Sequence, residues 1–417
     1  MTDARAFPTG LSVDEARSRI VDIAAKCALP AESVALEVAL GRILAVDITA
    51  PHDVPGFANS AMDGFAVRAV DLPATREKSF RLIGEMLAGG RKSVEVAADT
   101  CVRITTGAPL PFGADTVVMK ENTRSDGSTI RVASGTLAGA NVRAADEDYR
   151  AGDLACSLGT RLTPAQTGVL ASYGFTDVRV VRQPRVVLLT TGDELTAPGE
   201  ALDFGRIYDS NRYSLGGLLE QAGAILLRHE RLRDDPVVLR DALLRAGSAA
   251  DIIVSSGGVS AGETDFMPRL VAEVGKVVFW KVRIKPGMPF LFGQVGKALM
   301  FALPGNPVSG IATFLTLVKP ALDAMTGARR TSLALRARLG RAIHKRHART
   351  EFQRARLQCD GNGMLHATPL DQQGSGMLRS VAEADALIVL PESVHEFAAD
   401  EVVDVLPLPG WPPGSLW

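Results

Sequence analysis

The sequence predicts a multidomain protein of the α/β plus β class, with a doubly wound α/β domain, two small β domains and a discontinuous helical N-terminal domain. The chain has 417 residues, and a domain typically holds about 100 to 200, so roughly three domains are expected. Residues 183–330 alternate strand-like with helix-like runs, which is typical of βαβ units and a parallel sheet. Residues 51–139 and 331–417 contain short β-rich runs instead, which predict the two β domains.

Composition excludes several classes of protein. Hydrophobic residues make up 46% of the chain and charged residues 22%, which allows packed cores and excludes wholesale disorder. The 46 Lys and Arg residues nearly balance the 47 Asp and Glu residues, so we expect no nucleic-acid partner. The four cysteines form no CxxC pair, and we find neither a secretory leader nor about 18 consecutive apolar residues. We therefore expect a cytoplasmic protein with reduced thiols and no membrane partner.

Two capped helices flank the first β block. Residues 12–15 (Ser-Val-Asp-Glu) are a capping box that begins an amphipathic helix, and Thr163 with Pro164 begins another that ends near Gly174. Because the β block 51–139 is inserted between them, residues 10–50 and 140–182 are predicted to form one discontinuous domain.

The α/β domain follows at residues 183–330. Its predicted strands and helices, in chain order, are Val186–Thr190, helix Asn211–Gln221, Ile225–Leu227, helix Pro236–Ala246, Ile252–Ser255, helix Phe266–Val274, Ala298–Leu303 and a helix from Pro307. Beyond Thr331 the helical periodicity disappears. Residues 331–417, with an Asp-Gly-Asn-Gly turn at 360–363, are predicted to form a C-terminal β-barrel domain.

Acidic residues follow three of the predicted strands. Ligands of doubly wound sheets lie outside the carboxyl ends of the strands, so these loops are the place to look for a site. Clustered carboxylates repel one another unless a hard cation such as Mg²⁺ neutralises them, and we select Glu194, Asp235 and Asp265 as its ligands. The alternative that these acids cap helices or are solvated stays open.

Two loops and one strand favour an anionic ligand. Gly-Gly-Val-Ser at 257–260 and Pro-Gly-Asn-Pro-Val-Ser at 304–309 offer backbone N–H groups near helix starts, with Asn306 as a cap. Lys281, Arg283 and Lys285 alternate with apolar residues, which on a strand turns all three cations to one face. We interpret this face as an oxyanion site, and a charge-protected edge strand is the alternative.

Other catalytic patterns are weak. His344 and His347 lie among basic residues that oppose a metal ion, and no Gly-x-Ser-x-Gly elbow follows a predicted strand. The basic stretch 329–356 has few aromatic residues, which favours a solvated or anion-guiding face over a nucleic-acid surface.

Several long motifs resemble those of one family. They are Asn59–Arg68 (NSAMDGFAVR), Thr105–Pro109, Thr191–Leu195, the Gly-Gly-Val-Ser loop, Lys285–Gly287 and Pro304–Ser309, with Arg349–Phe352 and Gln373–Gly376 nearer the C-terminus. In this order they resemble the molybdopterin molybdenumtransferases, that is, the bacterial MoeA proteins and the related E domains of plants and animals. The resemblance runs from about Ser12 to Leu408, and it implies that the α/β domain is MogA-like.

The resemblance implies an enzyme, a molybdenum insertase. It would hydrolyse adenylylated molybdopterin with Mg²⁺, insert molybdate into the dithiolene and release AMP and molybdenum cofactor. It also implies a homodimer whose cleft is shared between the α/β domain of one chain and the β domains of its partner. Other molybdenum cofactor biosynthesis proteins and apo-molybdoenzymes are the further partners implied.

The resemblance also implies roles for individual residues. Asp63 and Thr106 would reach the site from the first β domain, and Glu194, Asp235 and Asp265 would surround Mg²⁺, so these five are the expected catalytic residues. The residues expected to bind phosphate, molybdate or pterin are Arg143, Asp148, Ser260, Lys281, Lys285, Pro304, Pro307, Ser309 and Ser375. Met288 stands where relatives often carry Lys, so we expect one anion contact to be absent, with Arg283 as a compensating cation.

Two alternative functions stay open. A molybdopterin adenylyltransferase is an enzymatic alternative, because the α/β domain alone also resembles that family. The non-enzymatic alternative is a scaffold whose C-terminal β domain docks a partner, which the lack of a long central linker disfavours.

Overall fold

The computed structural model describes residues 7–90, 94–259, 266–329 and 335–410. Within these ranges the helices are α1 (Val13–Ala25), α2 (Pro164–Ser172), α3 (Asn211–Gln221), α4 (Pro236–Ala249), α5 (Met267–Val274), α6 (Pro307–Thr313), α7 (Lys319–Met325) and α8 (Leu378–Ala382). The predicted caps begin the first two. Ser12 and Glu15 form the capping box of α1, and Thr163 with Gln166 forms that of α2.

Short strands dominate the first part of the chain. They are β1 (Thr9–Leu11), β2 (Ala31–Ala35), β3 (Ile48–Thr49), β4 (Asn59–Ser60), β5 (Gly64–Val67), β6 (Lys78–Met86), β7 (Thr100–Ile104), β8 (Thr116–Met119), β9 (Thr123–Asp126), β10 (Thr129–Val132), β11 (Val142–Arg143), β12 (Leu154–Cys156) and β13 (Asp177–Val181). Six of them form the sheet of the first β domain, in the order β8-β5-β7-β6-β10-β9.

The segments on either side of this β domain pair with each other. β13 is antiparallel to β2, and β12 is antiparallel to β3. A small core of Leu44, Leu162, Leu170 and Val180 lies between them. The chain therefore leaves this unit, forms the β domain and returns.

Helix α1 packs elsewhere. β1 runs parallel to the strand Gly275–Val282 at the edge of the main sheet, and Ala16 and Ile20 of α1 share a core with α7. The sequence pattern places residues 10–50 and 140–182 in one predicted domain. In the structure, the apolar face of α1 is buried against the α/β layer. Local periodicity predicts such a face but not the surface that covers it.

The α/β domain contains the strands β14 (Arg185–Thr191), β15 (Leu195–Thr196), β16 (Ile207–Tyr208), β17 (Ile225–Leu232), β18 (Ile252–Ser256), β19 (Gly275–Val282), β20 (Ile284–Lys285), β21 (Leu291–Val295) and β22 (Ala298–Leu303). Its main sheet has the order β1-β19-β21-β22-β18-β14-β17. β22, β18, β14 and β17 are parallel, as the alternation of strands and helices predicts. β21 is antiparallel to both neighbours, because Gly296 and Lys297 leave room only for a hairpin turn before β22.

One long apolar segment lies in the core. The helical stretch Pro307–Met325 has a mean hydropathy of 1.3 and matches a membrane span by length and composition, yet 83% of it is buried inside the protein. It comprises α6, a π-helical segment at Phe314–Val318, and α7. Its hydropathy is that of a helix enclosed by its own fold.

The C-terminal part is the predicted barrel. Its strands are β23 (Leu335–Leu339), β24 (Ile343–His344), β25 (Thr350–Cys359), β26 (Leu365–Pro369), β27 (Ala386–Leu390), β28 (Glu396–Phe397) and β29 (Val402–Pro407). β25, β26, β23, β29 and β27 pair in that order, and β27 pairs with β25 again to close the ring. β20 extends this sheet by running parallel to β25, which joins the barrel to the α/β domain. The fold class is therefore the predicted one.

Candidate functional site

A cavity of about 610 Å³ opens at the carboxyl ends of β14, β18 and β22, where ligands of doubly wound sheets bind. We call it the strand-end cavity. Its lining residues include Thr190, Thr191, Gly192, Glu194, Asp209, Ser210, Asn211, Asp234, Ser256, Gly257, Gly258, Pro289, Pro304, Asn306, Pro307, Gly376 and Leu378. Its volume lies in the range of roughly 300 to 1,000 Å³ typical of small-molecule sites.

Glu194 lines this cavity, as its place after β14 predicts. The loop that carries it lies against the loop after β17, since the Gly192 N–H donates to the Leu232 carbonyl at 3.4 Å and the Asp234 N–H donates to Asp193 Oδ1 at 3.4 Å. Asp234 also lines the cavity. Two consecutive strand ends therefore deliver carboxylates to one space.

Asp235 caps the helix that follows it. Its Oδ1 accepts hydrogen bonds from the N–H groups of Val237 at 2.8 Å and Val238 at 3.2 Å, which makes it the N-cap of α4. Asp265 and Ser260 lie outside the described residues. The magnesium site of Glu194, Asp235 and Asp265 therefore stays a prediction.

Asp209 is a cavity carboxylate that the sequence reasoning missed. It is 2% exposed, and its Oδ2 accepts a hydrogen bond of 2.6 Å from Thr190 Oγ1. His229 Nε2 lies 2.8 Å from the same hydroxyl, and burial lowers the pKa of this histidine. Its position just before the predicted helix at Asn211 was a signal that could have identified it. It was missed because only acids that follow a predicted strand were selected.

Asn211 joins two strand ends. Its Nδ2 donates to Ser256 Oγ and to the Gly305 carbonyl, both at 2.7 Å. Its Oδ1 is buried, as is Thr191 Oγ1, and within the described ranges neither atom has a hydrogen-bond partner. Both residues line the cavity, so they offer polar atoms with unused hydrogen-bonding capacity to a ligand.

Gly257 brings backbone to the cavity wall. Its φ is +106°, and a Cβ there would stand 2.6 Å from Thr191 Oγ1 and closer still to the Thr191 carbonyl. Only glycine allows this approach of the β18 loop to the end of β14.

The barrel contributes to the same cavity. Asn306 Nδ2 donates to Ser375 Oγ at 3.0 Å, and the Val308 N–H donates to the Ser375 carbonyl at 3.2 Å. The buried guanidinium of Arg354 supports this turn by donating to the carbonyls of Gln372 at 2.9 Å and Gly374 at 3.1 Å. Of the other predicted residues, Pro304 and Pro307 line the cavity, and the side chain of Ser309 is buried in α6.

The predicted cation face differs from a regular strand. Lys281 has φ +66°, which interrupts the simple alternation, and its ammonium lies 4.3 Å from the centre of the Trp280 ring. Lys285 Nζ lies 3.0 Å from Glu351 Oε1. Arg283 donates to Glu392 at 2.9 and 3.0 Å and to the Gly10 carbonyl, so it connects elements of the fold.

Another arginine lies beside Met288, and the compensating role of Arg283 stays a prediction. The Nη1 atom of Arg349 lies 3.9 Å from the Met288 sulfur. Pro289, the next residue, lines the strand-end cavity.

A second group of predicted residues lies in and beside the first β domain. Asp63 Oδ1 accepts hydrogen bonds from the Thr106 N–H at 2.8 Å and the Thr106 hydroxyl at 2.9 Å, which lowers the pKa of Asp63. Arg143 pairs with Asn59, and the Asp148 N–H donates to the Val54 carbonyl at 2.9 Å. These residues are not among the described residues that line the strand-end cavity of the same chain.

The donor chemistry of the cavity fits Mg²⁺. Glu194, Asp209 and Asp234 supply carboxylate oxygens, the ligand type this ion prefers. Within the described ranges, no three acid, His or Cys side chains stand close enough to hold a metal ion by themselves. Mg²⁺ usually binds through one or two carboxylates with water and substrate phosphates, so the cavity needs no such cluster.

Three family models match the chain. They are the MoeA N-terminal region (domain I and II) at residues 11–174, a probable molybdopterin binding domain at residues 187–324, and the MoeA C-terminal region (domain IV) at residues 336–408. Their order is that of the motifs in the sequence.

Whole proteins match as well. A molybdopterin molybdenumtransferase of Haemophilus influenzae is 36% identical, covering 95% of this chain and 98% of that protein. One of Bacillus subtilis is 35% identical, covering 95% and 94%. A crystal structure of the molybdopterin biosynthesis protein MoeA from Pyrococcus horikoshii superposes with a TM-score of 0.82 at 28% identity, covering 96% of this chain and all of that one. The chain therefore belongs to the family of molybdopterin molybdenumtransferases, and it is a transferase of molybdenum cofactor biosynthesis.

Proposed function

We propose that this transferase hydrolyses adenylylated molybdopterin and inserts molybdate into the dithiolene, releasing AMP and molybdenum cofactor. The observation that carries the proposal is the strand-end cavity, in which Glu194, Asp209 and Asp234 face two glycine-containing loops. Carboxylates in a cavity at the strand ends of a doubly wound sheet suit a phosphate ligand that arrives with a divalent cation.

In this proposal Glu194, Asp235 and Asp265 hold Mg²⁺, which supplies Lewis-acid polarisation and charge neutralisation at the phosphate bridge. Asn211 and Thr191 orient the adenylylated substrate through their unused polar atoms. The close packing of Gly257 against Thr191 holds this wall of the cavity in shape around the substrate phosphates. Water or a molybdate oxygen then attacks the bridge, and the bond to the AMP phosphate breaks.

The oxyanion is proposed to bind beside the pterin. Lys281, Lys285 and Ser375, together with Ser260, Ser309, Pro304 and Pro307, are its expected surroundings. Ser375 is supported by its hydrogen bond to Asn306, a residue that lines the cavity. Holding both reactants in one cleft supplies the proximity that the insertion needs.

We also propose a cytoplasmic homodimer in which Asp63, Thr106, Arg143 and Asp148 complete the cavity of the partner. The proposal is supported by their absence from the described lining of their own chain's cavity. A mixture of D63N and E194Q proteins tests it. If the sites are shared, random mixing restores about a quarter of wild-type activity, because each mixed dimer has one intact site. Activity no higher than that of either variant alone would contradict sharing.

The reaction itself is tested with purified protein, adenylylated molybdopterin, Mg²⁺ and molybdate. We expect AMP release with molybdenum cofactor formation, measured by chromatography and by reconstitution of an apo-molybdoenzyme. Formation of the adenylate from ATP would favour the adenylyltransferase instead. No nucleotide turnover of either kind would contradict an enzymatic role for the cavity.

A further inference from the structure

Lys285 is paired with a buried carboxylate. β20 and β25 run parallel, with Lys285 opposite Glu351, and Lys285 Nζ lies 3.0 Å from Glu351 Oε1. The side chain of Lys285 is 43% exposed, whereas that of Glu351 is only 6% exposed. The ammonium can therefore turn towards solvent or a ligand, while the carboxylate stays where it is.

A histidine stands on the other side of this carboxylate. His347 Nε2 lies 3.1 Å from Glu351 Oε2, and its side chain is 18% exposed. Both ring nitrogens are buried, and within the described residues neither has a hydrogen-bond partner of good geometry. His347 therefore lies where its protonated form would pair with the Glu351 carboxylate.

Burial and the nearby cations together disfavour the protonated form of His347. Burial lowers the pKa of His347, the Glu351 carboxylate raises it, and the cations of Lys285, Arg349 and Lys345 lower it further. The Lys345 ammonium is itself buried and donates to the carbonyls of Arg349, at 3.0 Å, and Pro391. The other charged groups of the neighbourhood are Arg354, which acts on Glu351, and Glu392, which acts on Lys345.

We propose that oxyanion binding at Lys285 is linked to proton uptake by His347, with Glu351 as the positioning residue between them. The oxyanion draws the ammonium away from Glu351, and His347 accepts a proton from solvent to pair with the carboxylate left behind. The inference rests on the proposed function, which places Lys285 beside molybdate.

The physical reason is the cost of an unpaired buried charge. Leaving a buried carboxylate without its partner is strongly unfavourable, so Lys285 cannot change partner alone. A protonated His347 restores the pairing and adds positive charge near the anion. Since the bound state holds one more proton than the free state, affinity falls as pH rises, by at most about tenfold per pH unit.

The test is calorimetric titration of the full-length protein with molybdate between about pH 6 and 8, where histidine titrates and molybdate is a dianion. Measurements at one pH in two buffers of different ionisation enthalpy give the protons taken up. We expect uptake of a substantial fraction of one proton in the wild type and none in H347Q, whose affinity loses its pH dependence. E351Q, which needs no counter-cation, is expected to bind more tightly than wild type at pH 8 without uptake.

His344→Gln is the matched control, because His344 lies three residues away on the surface beside Glu396. It should retain proton uptake, and melting curves establish that each variant is folded. Binding by the wild type with buffer-independent heat, or uptake that persists in H347Q, would overturn the linkage while leaving the oxyanion site intact. Absence of molybdate binding at every pH would instead remove the oxyanion site, and the linkage with it.

Discussion

The carboxylate of Asp63 is held by Thr106 through two hydrogen bonds to the same oxygen, one from the backbone N–H at 2.8 Å and one from the hydroxyl at 2.9 Å. The two residues belong to separate motifs of the sequence, 43 positions apart. Both are exposed, so the contact adds little to a core. It fixes a charged group at the surface in one orientation, which is what the proposed shared site needs.

Replacing Thr106 by Val should shift the acid side of the pH–rate profile. The backbone and hydroxyl hydrogen bonds lower the pKa of Asp63, so the carboxylate stays charged at a lower pH than an ordinary Asp. T106V removes the hydroxyl bond, which raises that pKa and moves the loss of AMP release to higher pH. T106S keeps both bonds and should leave the profile in place. An unshifted profile in T106V would indicate that the charge of Asp63 does not limit the reaction.

Asp235 has two candidate roles that one pair of variants separates. D235A removes the N-cap of α4 and should lower the free energy of unfolding by about 1 kcal/mol. D235N keeps the cap, because Asn caps as well as Asp. If Asp235 also binds Mg²⁺, D235N should have the wild-type melting temperature and need roughly 10- to 100-fold more Mg²⁺ for AMP release.

D241N is the control for this pair, since Asp241 is an exposed acid of the same helix, beyond the cap. It should leave both stability and magnesium dependence unchanged. A wild-type magnesium response in D235N would show that Asp235 only caps α4. Asp234, which lines the cavity, would then be the next candidate ligand.

Elements set by local chemistry follow the predicted bounds closely. α3 spans Asn211–Gln221 as predicted, and α2 begins behind its Thr163 cap. β17 extends to Leu232, whereas the predicted strand ends at Leu227. The prediction ends early because the second half of the strand carries charged residues and lacks an apolar pattern. As the edge strand of the sheet, it exposes those side chains to solvent, and its apolar pattern ends before the strand does.

Elements set by distant contacts could not be predicted in this way. The surface that covers α1 lies on α7, some 300 residues further along the chain. The direction of β21 depends on a turn of two residues after it. The α8 helix, of only five residues, is too short to show a helical period.

The same division applies to the site. Glu194 could be placed because it follows a strand whose end is visible in the sequence. Asn211 could not, since its contact with the Gly305 carbonyl joins positions 94 residues apart. Whether Asp234 or Asp235 faces the cavity depends on which of them caps α4, and sequence alone allows both.

Arg283 is expected to matter for stability and not for the oxyanion. Its guanidinium donates two hydrogen bonds to Glu392, 109 positions away, and so connects the α/β domain with the barrel. E392Q weakens that pairing and should lower the melting temperature slightly, since partly exposed ion pairs contribute at most about 1 kcal/mol. Its molybdate affinity should be that of wild type, whereas K285M should lose affinity. A gain in molybdate affinity in E392Q would show instead that a released Arg283 reaches the anion.

Gly257→Ala should damage both stability and activity, and Gly217→Ala should do neither. At Gly257 the φ of +106° and the nearby Thr191 atoms leave no place for a Cβ, so the end of β14 must shift by several tenths of an ångström. Backbone strain of this kind costs about 1 to 3 kcal/mol, and the shift displaces Thr191 within the cavity. Gly217 lies on the exposed side of α3 with nothing within 4 Å of its Cβ position, so alanine there should raise the free energy of unfolding by about 0.5 to 1 kcal/mol. Urea unfolding and AMP release measured on both variants separate the two effects. If G257A were as active as G217A, the packing of Gly257 against Thr191 would not matter for the reaction.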